Sequence, residues 1–351
     1  MSSLRGAKMT SGRSTVTVVI PTYNRSAWLR EALETTLGQT RKPDAVLVAD
    51  NGSTDETDEV MAEFLADPVV SHLRRPSNID PFINQNEALA TVGTDYVALV
   101  PDDDRIYPDF IRATSEVLDR EPSVGVVHTS FDLIDREGAV VVPDIDLVAP
   151  HGAALERGRD FVRRNMSDRW RVGIGLARTD SLRAVGFLAL KDRADWLMAD
   201  MLMWLEVAVT WDFVHLGSTL AAIRIHPDTL TATRLSFREQ GYATSPETPD
   251  QYLALRGAFI ERRRQDLDDP EKLLALAKRS WRLDRIDYVS QSTFPERRRA
   301  EVASQLWSAW RRDPRVAFEP AAWRLLGVSL AGTRVANRAR KLKASRAKAA
   351  P

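Results

Sequence analysis

The 351-residue sequence predicts an α/β fold, a mostly parallel sheet with flanking helices, followed by a C-terminal helical appendage. Three observations carry this expectation. Apolar β-branched runs alternate with helically spaced segments over the first 130 residues. Polar clusters fall just past the carboxyl ends of three of those runs. After the Pro-containing stretch SPETPD the chain turns Arg-rich and helical in pattern.

Thr15–Ile20 (TVTVVI) is almost wholly apolar and reads as a strand buried on both faces. Pro21-Thr22-Tyr23-Asn24-Arg25 interrupts it. Ser26 is placed to cap a helix with Trp28, Leu29, Ala32, Leu33 and Leu37 at helical spacing, closed by Gly38 and Pro43. Ala45–Ala49 (AVLVA) is a second strand, ending in Asp50-Asn51-Gly52-Ser53-Thr54-Asp55. Residues 55–66 read as a helix with Val60, Met61, Phe64 and Leu65 inward, and Val69–Leu73 as a short strand. Asn84–Val92 is helical. Tyr96–Val100 (YVALV) is a strand running into Pro101-Asp102-Asp103-Asp104. Residues 108–120 are helical and Val124–Thr129 is another strand. Beyond residue 130 the sequence predicts a hairpin-like excursion over 131–148, helices over 155–166 and 196–209, and strands at Trp211–Val214 and Leu220–Ile225. The resulting division is a disordered leader (1–14), an α/β domain (15–244), a helical region (245–330) and a basic tail (331–351).

Composition excludes several chemistries. There is no cysteine, so disulfides, thiolate nucleophiles and zinc–thiolate sites are out. No apolar run approaches the ~20 residues of a membrane span, and the polar N-terminus has no signal-peptide core. A cytoplasmic protein is expected. Lys plus Arg equal Asp plus Glu at 49 each, yet residues 245–351 hold 23 basic and 13 acidic side chains, so residues 1–244 carry −10 and the remainder +10. Residues 331–351 contain seven basic side chains, Arg334, Arg338, Arg340, Lys341, Lys343, Arg346 and Lys348, and no acidic one. A solvated tail, a contact with an anionic membrane and a nucleic-acid patch all fit that pattern. The tail reading ranks first and the membrane second, and no motif supports nucleic acid.

Polar clusters at the carboxyl edge of an open α/β sheet are where ligands bind. Turn formation explains any single cluster well, three on one edge less well, and the triple Asp least of all. Three adjacent carboxylates repel one another unless a cation shares the site, and hard oxygen ligands suit Mn²⁺ or Mg²⁺ bound to a diphosphate. Asp50, at the end of the second strand, is placed to accept hydrogen bonds from a base or ribose.

These residues resemble a known family. STVTVVIPTYNRSAWLREALETTLGQT, AVLVADNGSTDETDEVM and INQNEALATVGTDYVALVPDDDRIYPDFI are similar to family 2 glycosyltransferases of the GT-A fold, over about Val16 to Thr231. The resemblance implies inverting transfer of a sugar from a nucleotide-diphosphate donor, UDP- or dTDP-linked, to a hydroxyl of a glycan, lipid-linked or small-molecule acceptor. It implies Pro21 and Tyr23 lining a base pocket, Asp50 bonding the base, Asp102 at the ribose and diphosphate, and Asp103, by alignment on Pro108, at the metal. His226, in Ile225-His226-Pro227, matches a position that ligates the metal or meets the diphosphate, with Arg224 adding charge. The general base falls to Asp200, because Met203-Trp204-Leu205 follow it at the family's spacing, with Asp195 of Ala194-Asp195-Trp196 as the alternative; a helix-capping role fits either residue. Trp170 and Trp196 are placed to stack on sugars or to fill the core. Three departures bear on the site: Asn51 stands for an Asp, Pro101 for the first Asp of a strict DxD, and Gln85 for an Arg. A sugar-phosphate nucleotidyltransferase would share the nucleotide edge, but residues 21–25 lack its Gly-rich loop. A non-catalytic nucleotide-sugar-binding module of the same fold is the other rival.

Overall fold

The computed structural model of the protein describes residues 13–145, 154–167, 173–186, 199–226, 248–292 and 299–326. They belong to two compact units, residues 1–162 with 170–225, and residues 163–169 with 226–351.

The first unit is built on one sheet. Strand β1 (Val16–Thr22) lies at its heart, its first five residues buried. It pairs in parallel with β2 (Ala45–Asp50) on one side and β4 (Tyr96–Leu99) on the other. β3 (Val70–Arg74) continues the parallel run beyond β2. Helix α1 (Ser26–Leu37) links β1 to β2, α2 (Thr57–Phe64) links β2 to β3, and α3 (Pro81–Thr91) links β3 to β4. Strands buried on both faces need the continuous apolar runs that the sequence has there. Helix α4 (Phe110–Arg120) shows the complementary pattern, with Phe110, Ile111, Val117 and Leu118 buried. Each such side chain contributes about 1.5–3 kcal/mol on leaving water.

Beyond β4 the sheet is no longer purely parallel. The next strand is β9 (Gly175–Arg178), antiparallel to both β4 and β6 (Val124–Ile134). Gly175 permits that approach, since a Cβ there would stand 2.8 Å from the Val127 carbonyl oxygen and 3.2 Å from the His128 Cβ. β10 (Asp212–Arg224) runs parallel to β6, and β5 (Arg105–Ile106) pairs antiparallel with β10. β7 (Val140–Ile145) folds back on β6, and β8 (Ala154–Glu156) pairs with β10. Helices α5 (Gly158–Ser167), α6 (Thr179–Ala184) and α7 (Ala199–Ala208) complete the set before β10.

Three expectations are corrected. The two strands expected at 211–214 and 220–225 are one strand, in which register shifts between Leu216 and Ala221 absorb Gly217, Ser218 and Leu220. Ser26 does not cap α1: it is the first helical residue, and its backbone N–H donates to Asp55 Oδ2 at 2.9 Å. Leu65, expected inward, is exposed because α2 ends at Phe64. Residues 146–148 of the 131–148 excursion, the boundary near residue 245, Asp195, Trp170, Trp196 and the basic tail lie outside the described residues.

The second unit holds α8 (Thr248–Arg262), α9 (Pro270–Ser292), α10 (Arg299–Arg312) and a 3₁₀ turn (Pro314–Phe318). Trp281, Ile286, Val302, Leu306, Ala309, Val316 and Leu325 form its core. Arg282 ties the turn to α9, holding Asp313 at 2.9 Å and Glu319 at 3.0 Å.

Candidate active site

Because β1, β2 and β4 are parallel neighbours, their carboxyl ends open on one edge, with Thr22 in register with Asp50. The loops after them meet there. Asn24 adopts φ 53°, a left-handed conformation that Asn tolerates. Its N–H donates to Ser53 Oγ at 3.0 Å and its Oδ1 accepts from the Thr54 N–H at 2.7 Å, lacing the first loop to the second. Gly52 takes φ +78°, and a Cβ on it would lie 2.6 Å from the Ser77 carbonyl carbon. Asn51 clips the same neighbouring loop. Its Nδ2 donates to Asn78 Oδ1 and to the Ile79 carbonyl, both at 2.8 Å, and its Oδ1 accepts from the Ile79 N–H at 3.0 Å. An aspartate could make only the last of these bonds. The loop so fixed leads into α3, whose N-cap Asp80 accepts from the Phe82 N–H at 2.9 Å.

Asp50 is wholly buried at the end of β2. Its Oδ1 accepts from the Ser53 N–H at 2.8 Å, while His72 Nε2 and Arg74 Nε stand 3.4 Å from Oδ2, as ion-pair contacts rather than well-aligned hydrogen bonds. Burial raises the carboxyl's pKa, but His72 and Ser53 outweigh it and hold the group below the ordinary range. Arg74 also pairs with Asp58 at 3.0 Å. Asp50, Asp58 and His72 present ligand atoms within 4.8 Å of one another, and the Arg74 guanidinium supplies positive charge to this group. Pro21 is half-buried and Tyr23 exposed at the rim.

The Asp102-Asp103-Asp104 turn divides its labour. Asp102 accepts from Thr22 Oγ1 at 2.7 Å, and one atom, Arg25 Nη1, bridges Asp102 Oδ1 and Asp103 Oδ2 at 3.0 Å each. Burial and the neighbouring Asp103 push the Asp102 carboxyl up to about 6, against the pull of Arg25 and Thr22. Asp104 faces elsewhere. Its Oδ1 accepts the Arg224 N–H at 2.9 Å, and burial together with Asp103 lifts its pKa well above normal. Arg224, the last residue of β10, holds the turn from outside. It donates to the Asp103 carbonyl at 2.9 Å and to the carbonyls of Asp135 and Arg136 at 3.1 and 2.7 Å, and pairs with Glu31 at 2.5 Å. Its guanidinium lies 5.4 Å above the Trp28 ring, which Arg25 and Arg136 also approach at 5.7 and 5.5 Å. Two hard carboxylate oxygens converging on one cationic atom form a donor set that fits Mg²⁺ or Mn²⁺ in place of the guanidinium nitrogen.

Of the residues expected at the site, Pro21, Tyr23, Asp50, Asp102 and Asp103 share this edge. Asp200 is the second residue of α7. His226 is buried and falls in the second unit, two residues after Arg224. Sequence reasoning missed His72, Arg74 and Glu31. The alternation of His72 and Arg74 along β3 was a usable signal, but only with β3 known to lie beside β2.

A sheet of this order with an acidic turn closing β4 is the GT-A architecture. Residues 17–157 match the family model for glycosyl transferase family 2. Among curated relatives, a glycosyltransferase of Rickettsia felis is 30% identical over 135 residues, covering 38% of this chain and 22% of its own. Chondroitin synthase of Escherichia coli is 28% identical over 126 residues, 36% of this chain and 18% of its own. The chain thus spans about a fifth of the length of these relatives. Among solved structures, residues 1–349 of S. aureus TarS in complex with UDP-GlcNAc superpose with TM-score 0.58 at 16% identity, covering 89% of this chain and 90% of that one. The mannosyltransferase PcManGT of Pyrobaculum calidifontis, in complex with GDP-Man and Mn²⁺, gives 0.52 at 16%, covering 91% and 85%. At that identity the likeness establishes the fold.

Proposed function

We propose that the protein is an inverting glycosyltransferase that takes a sugar from a nucleotide diphosphate, UDP- or dTDP-linked, and transfers it to a hydroxyl acceptor. The observation that carries this reading is the convergence of Asp102 Oδ1 and Asp103 Oδ2 on one cationic atom at the end of β4, beside a buried and ionised Asp50. The nucleotide-sugar complexes of TarS and PcManGT support it, as does the Mn²⁺ of the latter. Asp50 accepts from the base, with Pro21 and Tyr23 against its ring. Asp102 and Asp103 hold a divalent cation, Mn²⁺ or Mg²⁺, and His226 is assigned to the same role. That cation supplies neutralising charge to the departing diphosphate. Arg25, freed from the two carboxylates, is positioned to meet phosphate oxygens. Asp200, or in its place Asp195, takes the proton of the acceptor hydroxyl as it attacks.

The acceptor class is a glycan, a lipid-linked sugar or a small molecule, and polysaccharide assembly is the setting that fits the first two. We place the protein in the cytoplasm, with its basic tail at the inner membrane face. No helix among the described residues is long and apolar enough to cross a membrane. Calorimetry of UDP and dTDP with and without Mn²⁺ on the parent and Asp103→Asn tests the reading. Metal-dependent binding by the parent and its loss in the variant are expected. Nucleotide binding that ignores both metal and substitution would overturn the metal role, and Mn²⁺-dependent binding with no donor hydrolysis or transfer would favour the non-catalytic module.

A further inference from the structure

The second unit carries a surface that the donor site does not use. Four of its aromatic side chains face water: Trp307 (59% exposed), Trp310 (38%), Phe318 (83%) and Trp323 (62%). All lie within 17 consecutive residues, spanning the end of α10, the 3₁₀ turn and the helical segment after it. Trp307 and Trp310, three apart on α10, stack on each other with centroids 4.8 Å apart and planes at 26°. Trp323 is fixed beside the 3₁₀ turn by its indole N–H, which donates to the Ala317 carbonyl at 2.6 Å. Leu306, Ala309, Val316 and Leu325 anchor the same segments to the core, so the aromatic rings are held outward from a packed base.

The charges around them are sorted. Residues 302–326 contain two acids, Asp313 and Glu319, and both are turned onto Arg282. The exposed charged side chains of the stretch are Arg311, Arg312, Arg315 and Arg324, of which Arg312 also pairs with Asp250. The outward face is therefore aromatic and cationic, and seven further basic residues with no acid follow in residues 331–351.

That combination selects among partners. A neutral glycan would want carboxylates or amides beside the rings to accept its hydroxyls, and the two acids here are engaged elsewhere. A single-stranded nucleic acid would want open ring faces, whereas Trp307 and Trp310 spend one face each on their neighbour. Indole rings with an apolar body and a polar edge favour the bilayer–water boundary, and arginines beside them attract anionic headgroups. Phe318, the most exposed of the four, offers only an apolar ring. We propose that residues 307–324 seat the protein on an anionic bilayer, with the rings of Trp307, Phe318 and Trp323 at headgroup depth and Arg311, Arg315 and Arg324 against lipid phosphates. This surface is separate from the residues assigned to the donor and does not rest on that assignment.

The test uses the full chain and three proteins: the parent, Trp307→Ser with Phe318→Ser, and a variant with the seven basic residues of 331–351 changed to Gln. Each is mixed at low salt with vesicles of phosphatidylcholine alone or with phosphatidylglycerol, and tryptophan quenching by brominated acyl chains is recorded. The parent should bind the anionic vesicles and be quenched. The aromatic variant should lose at least about tenfold in vesicle affinity, as expected for removing a buried aromatic side chain, while its thermal unfolding stays parental. The tail variant should bind more weakly and still be quenched. Parental binding by the aromatic variant would overturn the proposal, as would a parent that ignores vesicles. Loss of self-association or of oligonucleotide binding in the aromatic variant, without vesicle binding by the parent, would reassign the surface to a second copy or to nucleic acid.

Discussion

Removing a carboxylate from water costs free energy unless its oxygens are met, and Asp50 is met by the Ser53 N–H, His72 and Arg74. Its pKa lies below the unfolded value of 3.8, so its stabilising contribution is present above that pH and is lost as pH falls through the folded value. Asp50→Asn should therefore flatten the acid limb of the stability profile below about pH 4, as read from urea unfolding. If Asp50 also bonds the base, Asp50→Ala should weaken UDP or dTDP binding about tenfold or more, since a hydrogen bond to a charged group contributes roughly 1.5–3 kcal/mol. Asn51 makes a different point. Asn51→Asp keeps size and shape but loses two donated hydrogen bonds and sets a carboxylate against Asn78 Oδ1 and the Ile79 carbonyl. The variant should be destabilised by about 1–3 kcal/mol, and denaturant midpoints read this directly. The Asp that family 2 commonly places there is thus replaced by a side chain that holds the loop before α3.

At the scale of elements, strands buried on both faces announced themselves: β1, β2, β4 and the first half of β6 coincide with the apolar runs read from sequence. β9 and β5 did not: β5 has only two residues, and β9 (GLAR) lacks the β-branched and aromatic residues that mark the equally short β4 (YVAL). Asp50, Asp102 and Asp103 were legible because each ends an apolar run. The pairing of Arg25 with both carboxylates, and the place of His72 beside Asp50, depend on which strands are neighbours, and no local pattern encodes that. α5 begins close against two backbone carbonyls. A Cβ at Gly158 would stand 2.1 Å from the Ala208 carbonyl oxygen at the end of α7 and 2.5 Å from that of Trp211 before β10. Both are backbone atoms, so Gly158→Ala should destabilise by at least about 1–3 kcal/mol, measured by thermal unfolding.

For the whole molecule, the proposed general base Asp200 belongs to α7, beyond the matched residues 17–157. A general base acts only as the acceptor attacks, so Asp200→Asn should lower turnover by roughly 10²–10⁴-fold while sparing donor affinity. Asp195→Asn is the control. A parental rate for the first beside a collapsed rate for the second would move the base to Asp195, and parental rates for both would remove it from either. The grip of Arg224 on the acidic turn has a consequence for how the site comes into being. Its bond to Asp104 joins residues 120 apart in sequence and its pair with Glu31 joins residues 193 apart. Contacts of such separation close late. On the ribosome, β1, β2 and β4 emerge long before the residue that braces their ligand edge. Stalled nascent chains in which Arg224 has not left the ribosome should therefore lack the braced acidic turn, and longer chains that expose it should acquire that turn.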